Sequence, residues 1–343
     1  MKRHLNTLYV TTQGSYLHKE RETIAVKVNG RHKAKLPIHN IESIVCFGNV
    51  TCSPFLLGHC SENNVSVSFL TEYGRFLGRI SGPVNGNVLL RREQYRWADD
   101  YSKSCEVSRF ILSGKIINSR NVLRRFLRDN KSYNESESVS NAIKVIQDKY
   151  KSLEKVSTLD ELRGFEGLVA NSYFSVFNHM ILQNKTDFTF NSRNRRPPLD
   201  RINALLSFIY VLIMHDIRSG IETVGLDPSV GFLHRDRPGR YGLALDLMEE
   251  FRSFFADRLV LSLVNLKIIN SSHFRVTDSG AVLLNEDGKK IVLSAYQEKK
   301  NEEIYHPYIE EKCKYGRLFH IQAMLLARWI RGDIAGYPPF IWK

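Results

Sequence analysis

The chain has 343 residues and carries 49 Lys and Arg against 36 Asp and Glu, which gives a formal net charge of +13. A hydrophobic content of 43% excludes a disordered tail or a fibre, and the length predicts about two domains, each able to bury its own core. A surface this basic attracts polyanions, of which nucleic acid is the commonest, although a membrane surface stays open as an alternative.

Three features of the sequence predict a cytoplasmic protein. The longest apolar stretch, 204–214, is about half of the roughly 20 residues that cross a bilayer, so it is expected to be a buried helix. The first 20 residues interrupt their apolar run with Asn and Thr and lack the core of a signal peptide. The five cysteines are odd in number and never spaced CxxC, which fits a reducing compartment better than disulfides or a zinc ribbon.

In chain order, residues 1–90 come first and favour a β-sandwich domain. Short segments rich in β-branched and aromatic residues alternate with turn signals such as Asn29-Gly30, Tyr73-Gly74 and Gly82-Pro83, and one helix is expected near 54–63. Residues 91–343 are mainly helical in pattern, with a small β-hairpin insertion expected at about 273–297, where Asp287-Gly288 resembles a turn. The predicted fold class is therefore α+β multidomain, an N-terminal β-sandwich followed by a larger all-α metal-binding domain.

Arginine and lysine recur along the predicted helices at 91–128 with few acids between them. This spacing is typical of a phosphate-facing surface, and equally of a solvated helix face.

Glu166 is the first candidate for chemistry, because it lies in the middle of an apolar helical stripe that runs from Leu162 to Met180. Burying a carboxylate there is costly unless it is protonated, paired or bound to a cation. Pairing with an arginine is the alternative to a functional role.

His234 is the second candidate and lies in a Gly- and Pro-rich loop before a helix. The flanking Arg235, Arg237 and Arg240 should disfavour its charged form, which leaves a neutral imidazole for a metal or a proton. An ordinary loop histidine is the alternative.

Asp246 and Glu249 stand three residues apart on the following helix, so both carboxylates are predicted within reach of one ion. An exposed acidic face balanced by Arg252 and Arg258 is the alternative. Oxygen ligands with one imidazole suit Mg²⁺ or Mn²⁺ better than a closed zinc site, and such an ion activates phosphodiesters. The residues alone thus indicate metal-dependent phosphoryl transfer on nucleic acid.

Two blocks, LRGFEGLVANSYF at 162–174 and GLDPSVGFLHRDRPGRYGLALDLMEEFR at 225–252, resemble the signature blocks of CRISPR-associated protein one, the spacer-acquisition integrase. The resemblance extends over the full chain and is nearest to the subtype I-C branch. It implies Mg²⁺ or Mn²⁺ held by Glu166, His234 and Glu249, the catalytic residues, with Asp246 as a possible supporting acid. Other members carry Asp in the last ligand position, so the choice between Asp246 and Glu249 stays open.

The resemblance also implies partners. The family forms homodimers, and two such dimers join one dimer of a small ferredoxin-like second CRISPR-associated protein to hold double-stranded DNA. The candidate DNA contacts are Arg195, Arg196, Arg237, Arg240 and Arg252, each of which could instead pair with an acid. A catalytically inert DNA-binding scaffold and a metal-dependent RNA nuclease are the competing functions.

Overall fold

The computed structural model describes residues 7–41, 43–63, 65–72, 76–80, 88–131, 133 and 136–343. The chain divides into two compact units: Met1–Asn85 with Leu284–Asn301, and Gly86–Leu283 with Glu302–Lys343. The predicted boundary at 90 differs from this division, because the first unit also takes in the segment near residue 290. The turn signals expected at Tyr73-Gly74 and Gly82-Pro83 lie outside the described residues.

The first unit is built on two four-stranded sheets and one helix between strands. In spatial order the sheets are β1-β5-β7-β8 and β4-β3-β2-β6. The strands are β1 Thr7–Val10, β2 Ser15–Glu20, β3 Thr23–Val28, β4 Arg31–Pro37, β5 Ser43–Phe47, β6 Val50–Cys52, β7 Ser66–Leu70 and β8 Phe76–Ile80, and helix α1 is Pro54–Glu62.

The inner faces of both sheets share one apolar core. Alternation places Leu17 of β2 and Ile24 of β3 in this core, where they meet Ile44 of β5 and Val67 of β7. The N-terminal β-rich region is therefore confirmed as two layers of sheet. The turn predicted at Asn29-Gly30 is confirmed as well, since both residues have positive φ (50° and 75°) between β3 and β4.

The second unit is mainly helical. Its helices are α2 Val88–Asp99, α3 Tyr101–Asp129, α4 Ser136–Ser152, α5 Leu159–Ser175, α6 Arg201–Thr223, α7 Gly242–Met248 and α8 Arg258–Asn265, and after α9 (Glu286–Asn301 of the first unit) comes α10 Tyr315–Ile330. A π-helical turn, Arg252–Asp257, lies between α7 and α8. The larger helical domain is thus confirmed.

Helix α6 contains the apolar stretch 204–214. Its length and composition alone would allow a membrane span, but 67% of its most apolar window is buried inside the protein. It is a core helix, as the sequence predicts.

The hairpin expected at about 273–297 is wrong in extent. Two short strands, β9 Phe274–Val276 and β10 Val282–Leu284, form a two-stranded sheet, but helix α9 follows immediately. The Asn285 side chain accepts from the backbone N–H of Gly288 at 2.9 Å and caps this helix, so Asp287-Gly288 lies in its first turn. A second hairpin, β11 Glu303–His306 with β12 Glu311–Lys314, was not predicted.

Candidate metal centre

Helix α5 positions Glu166 and is tied to the histidine loop. A capping box between Thr158 and Glu161 fixes the start of the helix. One turn before Glu166, the guanidinium of Arg163 donates to the carbonyl of Leu233 through Nε (3.2 Å) and Nη2 (3.0 Å). Glu166 keeps 27% of its side chain exposed, so its carboxylate lies at an opening to solvent.

The loop that carries His234 needs two glycines, because its backbone folds tightly against the start of α7. A Cβ on Gly231 would lie 2.5 Å from the carbonyl carbon of Gly242 and 2.7 Å from the carbonyl oxygen of His234. A Cβ on Gly242 would lie 2.6 Å from the same oxygen. Any larger side chain at either position would displace the histidine.

Asp246 is the anchor of this loop. Its Oδ2 accepts from the backbone N–H of Phe232 (2.6 Å) and of Leu233 (3.1 Å), and its Oδ1 accepts from that of His234 (3.0 Å). The same Oδ1 lies 2.7 Å from Nδ1 of the His234 ring. A carboxylate only accepts, so Nδ1 donates, and Nε2 is the ring nitrogen left for a ligand. Asp246 is fully buried and acts as a positioning residue for His234.

Glu249 is buried between two cations. Its Oε2 lies 2.7 Å from Nζ of Lys115 and its Oε1 lies 2.9 Å from Nη2 of Arg252. Burial raises the pKa of Glu249, but the charges of Arg252, Lys115 and His234 outweigh it and lower the pKa to about 2. Glu249 is therefore a carboxylate at every ordinary pH.

Lys115 of helix α3 is a member of the site that the sequence does not reveal. Its ammonium pairs with Glu166 as well as with Glu249, and only 8% of its side chain is exposed. Lys115 belongs to the basic series at 91–128, whose spacing predicts either a phosphate-facing surface or a solvated helix face. The one available signal was its position beside the apolar residues Ile111, Leu112 and Ile116, which predicts burial.

The two acids that follow Glu249 in the sequence, Glu250 and Asp257, do not form an exposed acidic face. Glu250 and Asp257 are buried and point to other partners. Glu250 accepts from Tyr337 (2.5 Å) and from the backbone of Phe340 (2.9 Å), while Asp257 accepts from the Tyr210 hydroxyl (2.7 Å).

The candidate DNA-binding arginines fall into two groups. Arg195, Arg196 and Arg237 are exposed and Arg240 is half-buried, so their guanidiniums lie at the surface. Arg252 is committed within the protein: it pairs with Glu249 and stacks over the ring of Tyr210 at 5.1 Å. Arg252 therefore has the alternative role that the sequence left open, an ion pair with an acid of the same chain.

The donor set fits a divalent cation. Glu166 and Glu249 offer carboxylate oxygens and His234 offers Nε2, and Oε2 of Glu249 is buried without a hydrogen bond of good geometry despite its ion pair with Lys115. Within the described residues, these three side chains do not bring their ligand atoms within 4.8 Å of one another. The Lys115 ammonium contacts both carboxylates instead, so it supplies positive charge between them.

Known proteins are similar to this chain in sequence and in fold. Residues 8–298 match the family described as CRISPR associated protein Cas1. The CRISPR-associated endonuclease Cas1 1 of Chlorobaculum tepidum is 52% identical over 343 residues, covering 100% of both chains. A casposase bound to integration product has a TM-score of 0.85 at 22% identity, covering 99% of this chain and 95% of its own. A Cas6–RT–Cas1–Cas2 complex has a TM-score of 0.82 at 18% identity, covering 100% of this chain and 36% of that one.

The match to the family spans most of the chain, and it includes both blocks that hold Glu166 and His234. The chain belongs to the CRISPR-associated Cas1 family.

Proposed function

We propose that the protein is a divalent-metal-dependent DNA endonuclease and integrase that inserts short foreign duplexes into a CRISPR array. The observation that carries this proposal is the pairing of Glu166 and Glu249 with one buried lysine, Lys115, together with a His234 near enough to lower the pKa of Glu249. Exposed arginines on the His234 loop supply the charge that phosphates require. Membership of the Cas1 family, whose relative in Chlorobaculum tepidum is named an endonuclease, supports the same function.

Glu166, Glu249 and Nε2 of His234 would hold Mg²⁺ or Mn²⁺. When bound, this ion polarises a phosphodiester and stabilises the charge that develops on it. Asp246 keeps the imidazole in the tautomer and orientation that present Nε2. Arg252 keeps Glu249 ionised, and Arg195, Arg196, Arg237 and Arg240 bind the phosphates of both DNAs.

The reaction is an in-line exchange at phosphorus. The 3′ oxygen of the incoming duplex forms a bond to phosphorus, the bond to the displaced 3′ oxygen of the repeat breaks, and the hydroxyl proton passes to solvent while the displaced oxygen gains one. The number of phosphodiesters is unchanged, so no energy-rich cofactor is consumed. Positioning both strands is the larger task of the protein. Water in place of the attacking hydroxyl gives cleavage.

The proposed assembly is two homodimers of this chain with one dimer of a small ferredoxin-like Cas2-type partner, holding double-stranded DNA. The fold shared with a Cas1–Cas2 complex and with a casposase bound to integration product supports a Cas2-type partner and DNA, while the stoichiometry is carried by the family resemblance alone. We assign the chain to the subtype I-C branch from its sequence blocks, and to the cytoplasm because all five cysteines are free.

A strand-transfer assay tests the function. Purified full-length protein is mixed with a supercoiled repeat plasmid and a short duplex, with Mn²⁺, Mg²⁺ or EDTA. We expect joining that needs the metal and a 3′-hydroxyl, is lost in Glu166→Ala and His234→Ala, and persists in the exposed-acid control Glu154→Ala. A dideoxy-terminated duplex should not join.

The competing functions give different outcomes. DNA binding by the wild type without joining or cleavage under any metal would favour the inert scaffold. Faster cleavage of RNA than of duplex DNA would favour the RNA nuclease. Joining at the wild-type rate by folded Glu166→Ala or His234→Ala would overturn the ligand assignment.

A further inference from the structure

A second group of metal-ligating side chains lies on the N-terminal unit, on the outer face of the sheet β4-β3-β2-β6. His18 and Glu20 belong to β2 and His32 belongs to β4, with β3 between them. Ile24 and Val26 of β3 face the core, so the alternate residues Ala25 and Lys27 face outward.

The pairing register places all three ligands on that outward face. His18 pairs with Ala25, Lys27 pairs with His32, and cross-strand partners share a face. Glu20 lies two residues from His18 on the same strand and therefore shares its face.

A β-bulge brings His32 to this face. The register shifts between Val26 and Lys27, so that Val26 pairs with Ala34 but Lys27 pairs with His32, which leaves Lys33 as the extra residue. Without the bulge, His32 would pair one residue later and point to the opposite face. The irregularity thus turns an imidazole toward the other two ligands.

The side chains of this face are close together and partly preorganised. The rings of His18 and His32 have centroids 5.6 Å apart, above the small Ala25, and the Tyr16 ring stacks on His18 at 5.5 Å with an interplanar angle of 7°. One ligand atom from each of His18, Glu20 and His32 lies within 4.8 Å of the others. Tetrahedral Zn²⁺ needs separations of about 3.3 Å, which small side-chain rotations reach.

The local electrostatics leave the ligands available. Nδ1 of His18 is shielded from solvent and accepts no hydrogen bond among the described residues. Glu20 pairs with Lys35 at 2.6 Å, but both side chains are more than 40% exposed, so this pair is weak and readily exchanged.

We propose that His18, Glu20 and His32 form a binding site for a Zn²⁺-class transition-metal ion, with one coordination position open. Two imidazoles and one carboxylate form the three-ligand set typical of open zinc sites, whereas Mg²⁺ prefers oxygen and water. The site is separate from the candidate metal centre, which offers two carboxylates and a single imidazole. The neighbouring Lys27 and Lys35 limit its affinity.

Calorimetric titration with Zn²⁺ tests the proposal on untagged full-length protein that carries Glu166→Ala and His234→Ala. We expect one more Zn²⁺ per chain in this background than after adding His18→Ala or His32→Ala. Glu20→Gln should weaken binding at least about tenfold, and the exposed control His39→Ala should not change it. Equal stoichiometry and affinity in all of these proteins would overturn the site.

A second measurement needs no substitution. Diethyl pyrocarbonate modifies free imidazoles, and peptide mass mapping of the wild type locates the modified residues. Zn²⁺ should protect His18 and His32 but not His39, while Mg²⁺ should protect none of them. The same modification of His18 and His32 with and without Zn²⁺ would also overturn the proposal.

Discussion

The ammonium of Lys115 lies 2.7 Å from Oε2 of the buried Glu249, and the same ammonium pairs with Glu166. A cation of the protein thus pairs with both carboxylates that would bind a divalent ion. This arrangement lets acidic side chains be buried in a metal-free protein, because an uncompensated buried carboxylate is strongly destabilising. It also means that the ion and Lys115 compete for the same oxygens.

Lys115→Met should separate the stabilisation of the buried carboxylates by Lys115 from the competition between Lys115 and a bound metal ion. Without metal, the variant should lose about 3 kcal/mol of unfolding free energy, because Glu249 keeps only Arg252 as its cation. Mn²⁺ should then stabilise the variant more than the wild type, since binding no longer displaces an ion pair. Urea unfolding in EDTA measures the loss of unfolding free energy, and urea unfolding in Mn²⁺ measures the stabilisation by the metal. The exposed Lys144→Met is the control. Equal stabilisation of both proteins by Mn²⁺ would contradict the competition.

Asp246→Asn and Glu249→Gln should have different effects on protein stability and on Mn²⁺ affinity. Asp246 accepts from three backbone N–H groups and from His234, so its amide variant should lose at least about 2 kcal/mol of stability. Its Mn²⁺ affinity should fall by about 10–100-fold, because the imidazole loses its orientation. Glu249→Gln should instead abolish Mn²⁺ binding while the loop stays folded. Calorimetry and urea unfolding on both variants decide the assignment, and the reverse pattern would make Asp246 the ligand.

The sequence indicates candidate residues for the site but not their pairings. Local sequence singles out Glu166, an acid in an apolar stripe, and His234, a histidine in a Gly-rich loop, as candidates, and both assignments stay predictions. Lys115 stands on α3, far from either in sequence, and no local pattern reports that its ammonium meets both acids.

The different partners of Asp246 and Glu249 were not predictable either. A spacing of three residues places two carboxylates within reach of one ion, but the polar groups around each acid decide which partners it meets. The turn at 229–234 wraps onto Asp246 and saturates its oxygens, while Glu249 meets Lys115.

The secondary structure, too, is only partly predictable from local sequence. Alternating strands with an Asn-Gly turn are predictable at β3 and β4, whereas Asp287-Gly288 predicts a turn at a place where Asn285 caps a helix. Helix capping and hairpin turns use the same residue types, so these residue types alone do not distinguish a capped helix from a turn.

Gly231→Ala tests the close approach that holds the histidine loop. The new methyl would lie 2.5 Å from the Gly242 backbone, so we expect a loss of more than about 2 kcal/mol in unfolding free energy, together with loss of strand transfer. Gly164→Ala on helix α5 is the matched control, since its Cβ meets nothing within 4 Å. It should gain about 0.5–1 kcal/mol. Equal effects of the two substitutions in thermal unfolding would refute the packing argument.

Asp257→Asn should change how stability depends on pH. Burial raises the pKa of Asp257 to about 6, against the hydrogen bond from Tyr210, so the folded state holds a proton that the unfolded chain releases near pH 3.8. The contribution of Asp257 to the free energy of unfolding is therefore fully present below pH 3.8, and it falls by about 3 kcal/mol as the pH rises through 6. The amide does not titrate, so the stability of the variant relative to the wild type should increase as the pH rises from 3.8 through 6. Unfolding at a series of pH values measures the difference, and a constant difference, as expected for the exposed control Asp148→Asn, would contradict it.

Arg237→Ala should weaken DNA binding through phosphate contact alone. Arg237 is exposed on the His234 loop, so it is free to neutralise one phosphate and release its counterions. The log–log slope of duplex affinity against salt should shrink by about 0.9, whatever the DNA sequence. Fluorescence anisotropy over a salt series gives the slope. Arg218→Ala is the control, because the Arg218 side chain is only 12% exposed and pairs with Glu222 at 2.9 Å. An unchanged slope in Arg237→Ala, or the same reduction in Arg218→Ala, would remove Arg237 from the DNA-binding surface.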